Sequence, residues 1–124
     1  MNSMPVEPKM TAGKAGGTIP QYSFVKFGAD DETFVVCSAN DEAVHGVSQG
    51  PAAVAGDPLE IACLGGGAQI KLAATLARGA EVATNTSGTG KAAAAGGYIA
   101  GILMASGVSG DVVPMILVPY QKNP

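Results

Sequence analysis

The stretch "TNTSGTGKAAAAGGYIAGILMASG", Thr84 to Gly107, supports two incompatible readings. In one, Ser87-Gly88-Thr89-Gly90-Lys91 is a phosphate-cradling loop and the alanines after it open a helix. In the other, Asn85 to Gly90 is a hairpin loop between two strands. A phosphate loop of the G-x-x-x-x-G-K-[ST] type needs a leading glycine to curl the chain, a lysine for the terminal phosphates and a hydroxyl for magnesium. Gly90-Lys91 supplies the middle of that pattern, but Asn85 stands at the leading glycine and Ala92 at the hydroxyl. Alanine favours helix, yet Gly96-Gly97 ends the run Ala92 to Ala95 after one turn, which does not nucleate alone in water. The stretch therefore reads as strand, loop and strand, with the alanines allowing close packing in a barrel wall or an oligomer seam.

Outward from that hairpin the pattern repeats. From Ile19 on, short apolar runs are cut by Gly, Asn, Asp and Pro every eight to twelve or so residues, the signature of an all-β sandwich or barrel. The predicted strands are Tyr22 to Phe27, Thr33 to Ser38, Val44 to Val47, Leu59 to Leu64, Gln69 to Leu72, Glu81 to Thr84, Lys91 to Ala95, Tyr98 to Ala105 and Val112 to Val118. "PAAVAG" (Pro51 to Gly56) and "AATLARGAEVA" (Ala73 to Ala83) are too short or too interrupted by glycine for more than a helical turn. "CLGGGAQI" lacks the helix that must follow a dinucleotide-binding glycine loop, so Gly65-Gly66-Gly67 reads as a turn. A weak internal echo links Gly46-Val47 and the later Gly56-Asp57-Pro58-Leu59 to Gly101-Ile102 and the later Gly110-Asp111-Val112-Val113. Gly79-Ala80-Glu81-Val82 is a looser third copy of the same turn. Each copy sets a glycine at a demanding turn before an outgoing strand of alternating character.

Composition narrows the function. The 124 residues suit one domain, read as a body over 19–119, an extended arm over 1–18 and a tail over 120–124. Charged residues are 14% of the chain and there is no Trp, so the surface is bland and short of aromatic anchors. A net charge of −3, with the seven basic residues scattered singly, excludes a nucleic-acid partner, because phosphate binding needs clustered Lys and Arg. No apolar run reaches the roughly eighteen residues of a membrane helix, and the start carries no signal-like apolar stretch. A soluble protein made in the cytoplasm is expected. Cys37 and Cys63 sit in strand-like surroundings without ligand spacing and read as packed thiols, a disulfide being the alternative.

No constellation rises to catalysis. His45, the single histidine, has Asp41, Glu42 and Ser48 near it in sequence, but a triad needs nucleophile, base and acid assembled in space, and a metal site needs more ligands than these supply. Asp30-Asp31-Glu32 lacks the alternating oxygen ligands and distal glutamate of a calcium loop. No enzyme activity, cofactor or metal is expected.

The order of the motifs Gly46-Val47-Ser48, Ala55-Gly56-Asp57, Gly79-Ala80-Glu81-Val82, Gly101-Ile102-Leu103 and Gly110-Asp111-Val112-Val113 resembles the small capsid cement (head decoration) proteins of tailed bacteriophages. The likeness spans about Ile19 to Val118, and the long proline- and glycine-bearing arm departs from the simplest members. The resemblance implies a compact β-barrel or jelly-roll-like body without catalytic residues. It further implies an oligomer, most often a trimer with a dimer as the alternative, seated on the outer surface of the virion's capsid and bridging neighbouring major capsid protein subunits. Val6, Lys9, Met10 and Lys14 in the arm are the residues expected to dock on the capsid. A carbohydrate-binding or host-attachment β-domain is the alternative function.

Overall fold

The computed structural model describes residues 10–63 and 65–122. Ten strands make up the fold: β1 (Met10–Ala15), β2 (Phe24–Phe27), β3 (Thr33–Val36), β4 (Gly46–Ser48), β5 (Pro58–Cys63), β6 (Gly67–Lys71), β7 (Glu81–Thr84), β8 (Gly90–Ala92), β9 (Tyr98–Leu103) and β10 (Val112–Lys122). The fold is all-β, and no helix occurs among the described residues. Each segment predicted as a strand carries one, and β1 is the addition.

The strands form two units of one topology. β1, β3, β2, β4 and β5 close into a barrel in that order, with β1 antiparallel to β5 and parallel to β3. β6, β10, β9, β7 and β8 form a second five-stranded sheet, which curls until Leu72 bridges Gly90 in parallel. Reading β1 as β6, β2 as β7, β3 as β8, β4 as β9 and β5 as β10 superposes the two orders. Closure leaves few unpaired backbone groups to template aggregation.

The echo seen in the sequence is this duplication. In the first barrel Gly56 N–H donates to Ala15 O and Ala15 N–H to Asp57 O, each at 2.8 Å; in the second, Gly110 donates to Leu72 and Leu72 to Asp111 at the same length. Ile19 and Ala53 exchange a pair of backbone bonds, and so do Leu76 and Gly107. The Asp57 and Asp111 carboxylates accept from Val54 N–H at 3.0 Å and Val108 N–H at 2.9 Å, closing the two turns alike. Gly56, Gly79 and Gly110 sit at φ near +90°, where a side chain is strained. The fourth member of the set is Tyr22, at φ 62°: its N–H donates to Ser48 O as Gly79 N–H donates to Leu103 O.

Residues outside the predicted body belong to it. The segment read as an arm over 1–18 contains β1, which pairs with β5 from Met10↔Ala62 to Lys14↔Pro58. β1 carries no apolar alternation because its inward residues are small: Gly13 lies under the Phe34 ring, where a Cβ would stand 2.6 Å from Phe34 Cε1. The segment read as a tail over 120–124 includes the end of β10, where Gln121 and Lys122 pair with Ile99 and Tyr98 after a register shift. Tyr22, read as the start of a strand, is instead the turn residue before β2.

One cluster, with Ile19, Val25, Leu59 and Ile61, fills the first barrel, and Phe34 packs on it. The other fills the second barrel with Ile70, Leu72, Val82, Leu103 and Met115 and extends across the seam to Phe24, Cys37, Val44, Val47 and Ala62 of the first. The seam is also hydrogen-bonded, by Phe24 N–H to Gly88 O at 2.8 Å and by Gln49, whose side-chain amide donates to Gln69 O and accepts from Gln69 N–H, both at 3.0 Å.

Candidate functional site

The loop that suggested phosphate binding faces the protein. Asn85 Oδ1 accepts from Ser87 N–H at 2.9 Å and Thr89 N–H at 3.0 Å, so the loop's donors turn inward onto its own side chain. Gly88 has φ 79° and lies against Val36 and the Phe24 carbonyl. Lys91 Nζ is 2.9 Å from Asp41 Oδ1 and 3.1 Å from Ala92 O. That carboxylate also accepts from Ala94 N–H at 3.2 Å. The hairpin loop is therefore a clamp between the barrels, with its lysine engaged.

The other candidates are occupied structurally. Cys37 is buried, and burial first, then Glu42, pushes its thiol up to about 12, so it stays protonated and is no nucleophile. Cys63 is a free thiol as well. Asp30 Oδ1 accepts from Glu32 N–H at 3.2 Å, an Asx turn. Ser48 Oγ donates to Pro20 O at 2.8 Å and accepts from Ser23 N–H at 3.1 Å. Among the described residues no three His, Cys, Asp or Glu side chains come together to hold a metal.

His45 stacks on Phe27 with ring centroids 3.9 Å apart, and its Nδ1 accepts from Phe27 N–H at 2.9 Å. Protonating Nδ1 breaks that bond. Burial lowers the His45 pKa from its ordinary 6.5; Glu42 opposes the shift and Lys26 adds to it. Burial works against the Glu42 charge, yet Lys26 Nζ at 2.9 Å and the Ala39 and Ser38 N–H groups outweigh it and hold that carboxyl below its ordinary range. Glu42 thus stays ionised in the window where His45 titrates. A histidine with a depressed folded pKa contributes fully above its unfolded value and loses that contribution as pH falls toward the folded one. The unfolding midpoint is expected to drop on acidification from about pH 7 to 5. In His45→Asn, whose amide oxygen takes the place of Nδ1, that drop shrinks; an unchanged pH profile by circular dichroism would overturn the assignment.

Of the four residues expected to dock on a capsid, Val6 and Lys9 lie outside the described residues. Met10 and Lys14 are on β1, exposed on its outer side. Lys14 Nζ stands 3.9 Å from Glu32 Oε2, both side chains largely in solvent, so the pair holds it weakly. What the sequence reading missed is the groove beside them. It holds about 450 Å³ and runs between Ala12 on β1, Pro58 and Glu60 on β5, and the loop Gly50 to Ala53. Two prolines and a glycine in sequence marked a loop there, but only the pairing of β1 with β5 makes that loop the wall of a groove. The groove offers mostly small apolar side chains and two carboxylates, Asp57 and Glu60.

A closed five-stranded barrel and a second, curled five-stranded sheet of equivalent topology, sharing a seam, define the class of fold. The same fold is found in the head fiber gp8.5 N base of bacteriophage phi29, with a TM-score of 0.71 and 13% sequence identity, covering 94% of this chain and 98% of that one. No protein-family model matches the chain, and no curated protein sequence matches it.

Proposed function

We propose that this chain is a non-catalytic structural protein of a bacteriophage virion that binds the outer surface of the head. There it bridges neighbouring major capsid subunits as an oligomer, three copies being favoured. The observation that carries the reading is the shared fold, over nearly the whole of both chains, with the base of a phage head fiber. The motif order that resembles head decoration proteins points the same way. Several weak contacts per oligomer would add through effective concentration, and the exposed β1 face with its adjoining groove is the surface assigned to them.

The test is binding of the purified protein to heads that lack it, followed by cryo-electron microscopy. Density for the double barrel on the outer shell is the expected result. Met10→Glu with Lys14→Glu should lower occupancy at least tenfold at an unchanged unfolding midpoint. A virion without this chain on its outer shell would overturn the reading.

A second reading as a carbohydrate-binding attachment domain has one observation behind it. Phe27 is 64% exposed beside a hollow of about 300 Å³ that includes Asp30 and Asp31, and an aromatic face next to carboxylates can stack on a sugar ring. Glycan-array binding lost in Phe27→Ala would favour it.

A further inference from the structure

The duplication gives every surface of the first barrel a counterpart on the second, and one pair of counterparts differs. In the first barrel Phe24, Val47 and Ala62 line up across β2, β4 and β5. All three are 0% exposed, because the second barrel covers them. The corresponding row on β7, β9 and β10 is Glu81, Ile102 and Ile116. No described residue covers that row as the second barrel covers the first: Ile116 is 46% exposed, and Val112, two pleats along the same face of β10, is 42% exposed. Half-buried Pro114 lies between them, and half-buried Met104 follows at the end of β9. The result is an apolar strip along β10 and β9, set apart from the other exposed large apolar side chains, Met10, Phe27, Val54 and Val108, which belong to other segments, and such strips mark interaction sites.

Charge at the strip's rim indicates the occupant. Lys71 on β6 stands beside Val112 at one end, and Glu81 on β7 stands beside Ile102 at the other and on the opposite flank. The two charges therefore occupy diagonal corners. A copy turned over to face the strip sets Lys71 of each chain against Glu81 of the other, so the surface complements itself. The strip lies on β10 and β9 in the interior of the second sheet, away from its edge strands β6 and β8, so the contact it offers is a face.

We infer that the strip Val112, Pro114, Ile116 and Ile102 is the self-association surface, and that its occupant is the same strip of a second copy. This rests on the self-association included in the proposed function, takes its two-copy alternative because a strip that packs on itself closes at two chains, and names the face. Sedimentation of the wild-type chain across concentrations should show an oligomer. Ile116→Lys should shift it to the one-chain mass, with the dissociation constant raised at least tenfold and the far-ultraviolet spectrum unchanged. Lys71→Glu and Glu81→Lys should each weaken association, and the two together should restore it, which a purely structural role for either residue would not produce. Val54→Lys, at a still more exposed valine on the first barrel, should change nothing. An oligomer that survives Ile116→Lys overturns this face while leaving self-association intact. A monomeric wild-type chain overturns both, and if Ile116→Lys in that monomer abolishes head binding, the strip belongs to the capsid contact.

Discussion

Deleting residues 1–18 is expected to unfold the first barrel, while deleting residues 1–9 leaves every described strand in place. β1 is bonded on both sides, antiparallel to β5 over five residue pairs and parallel to β3. Two further bonds anchor its end, Ala15 N–H to Asp57 O and Gly16 N–H to Phe34 O, both at 2.8 Å. The deletion also removes Ala15 from the core and uncovers Ile61 and Val25, which are 0% exposed in the intact barrel. Burial of each such side chain stabilises by about 1.5–3 kcal/mol, and whole-domain stability is only about 5–15 kcal/mol. Uncovering two such residues removes about 3–6 kcal/mol, and with the strand's backbone bonds, about 0.5–1.5 kcal/mol net each, the loss reaches the range of the whole domain's stability. Circular dichroism and amide hydrogen exchange check it: protection in β2 to β5 should vanish in the longer deletion and persist in the shorter. A cooperative native-like melt of the 1–18 deletion would show that β1 is dispensable.

Phe24→Ala is the point substitution with the largest expected cost, about 3–5 kcal/mol by the range for buried phenylalanine. Phe24 is the largest fully buried side chain among the described residues and lies in the cluster that joins the barrels. Its loss leaves a cavity where the second barrel rests on the first, and the neighbouring bond from Phe24 N–H to Gly88 O holds the backbone from collapsing into it. For a chain of this length the midpoint of thermal unfolding should fall by more than about 10 °C. Glu81→Ala changes the residue at the equivalent place in the second barrel and should move the midpoint by less than about 2 °C, since exposed substitutions usually stay within about 0.5 kcal/mol. Equal effects at the two sites would mean that the outer face of the second barrel is as fully packed as the seam.

That contrast shows why part of the fold was legible in sequence and part was not. Alternation in Val112 to Leu117 and the demanding turns at Gly56, Gly79 and Gly110 are local properties, and they placed the strand starts within two residues, while the ends of β8 and β10 differ by three and four. The repeat of Gly46-Val47 in Gly101-Ile102 was visible for a packing reason too. A Cβ on Gly46 would meet Ile61 and the Ala62 carbonyl, and one on Gly101 would meet Met115 and the Ile116 carbonyl. Both positions demand glycine for the same close approach of neighbouring strands. β1 escaped notice because Thr11, Ala12 and Gly13 give no apolar signal; backbone bonds to β5, far along the chain, hold it. The groove beside Lys14 escaped for the same reason, since one wall is β1 and the other lies some forty residues on.

In the stretch Thr84 to Gly107, the sequence by itself determined that the loop is no phosphate cradle and that strands flank it, because those facts follow from residue types at adjacent positions. Only the tertiary structure decided that Lys91 is clamped by Asp41, that Gly88 is pressed against the other barrel, and that Ile102 lies half-exposed on the outer face. Which face of a strand is covered depends on what the rest of the chain brings against it. Val47 and Ile102 are equivalent in pattern and in register, and they differ because the second unit covers the first barrel's face, while no described segment covers the same face of the second.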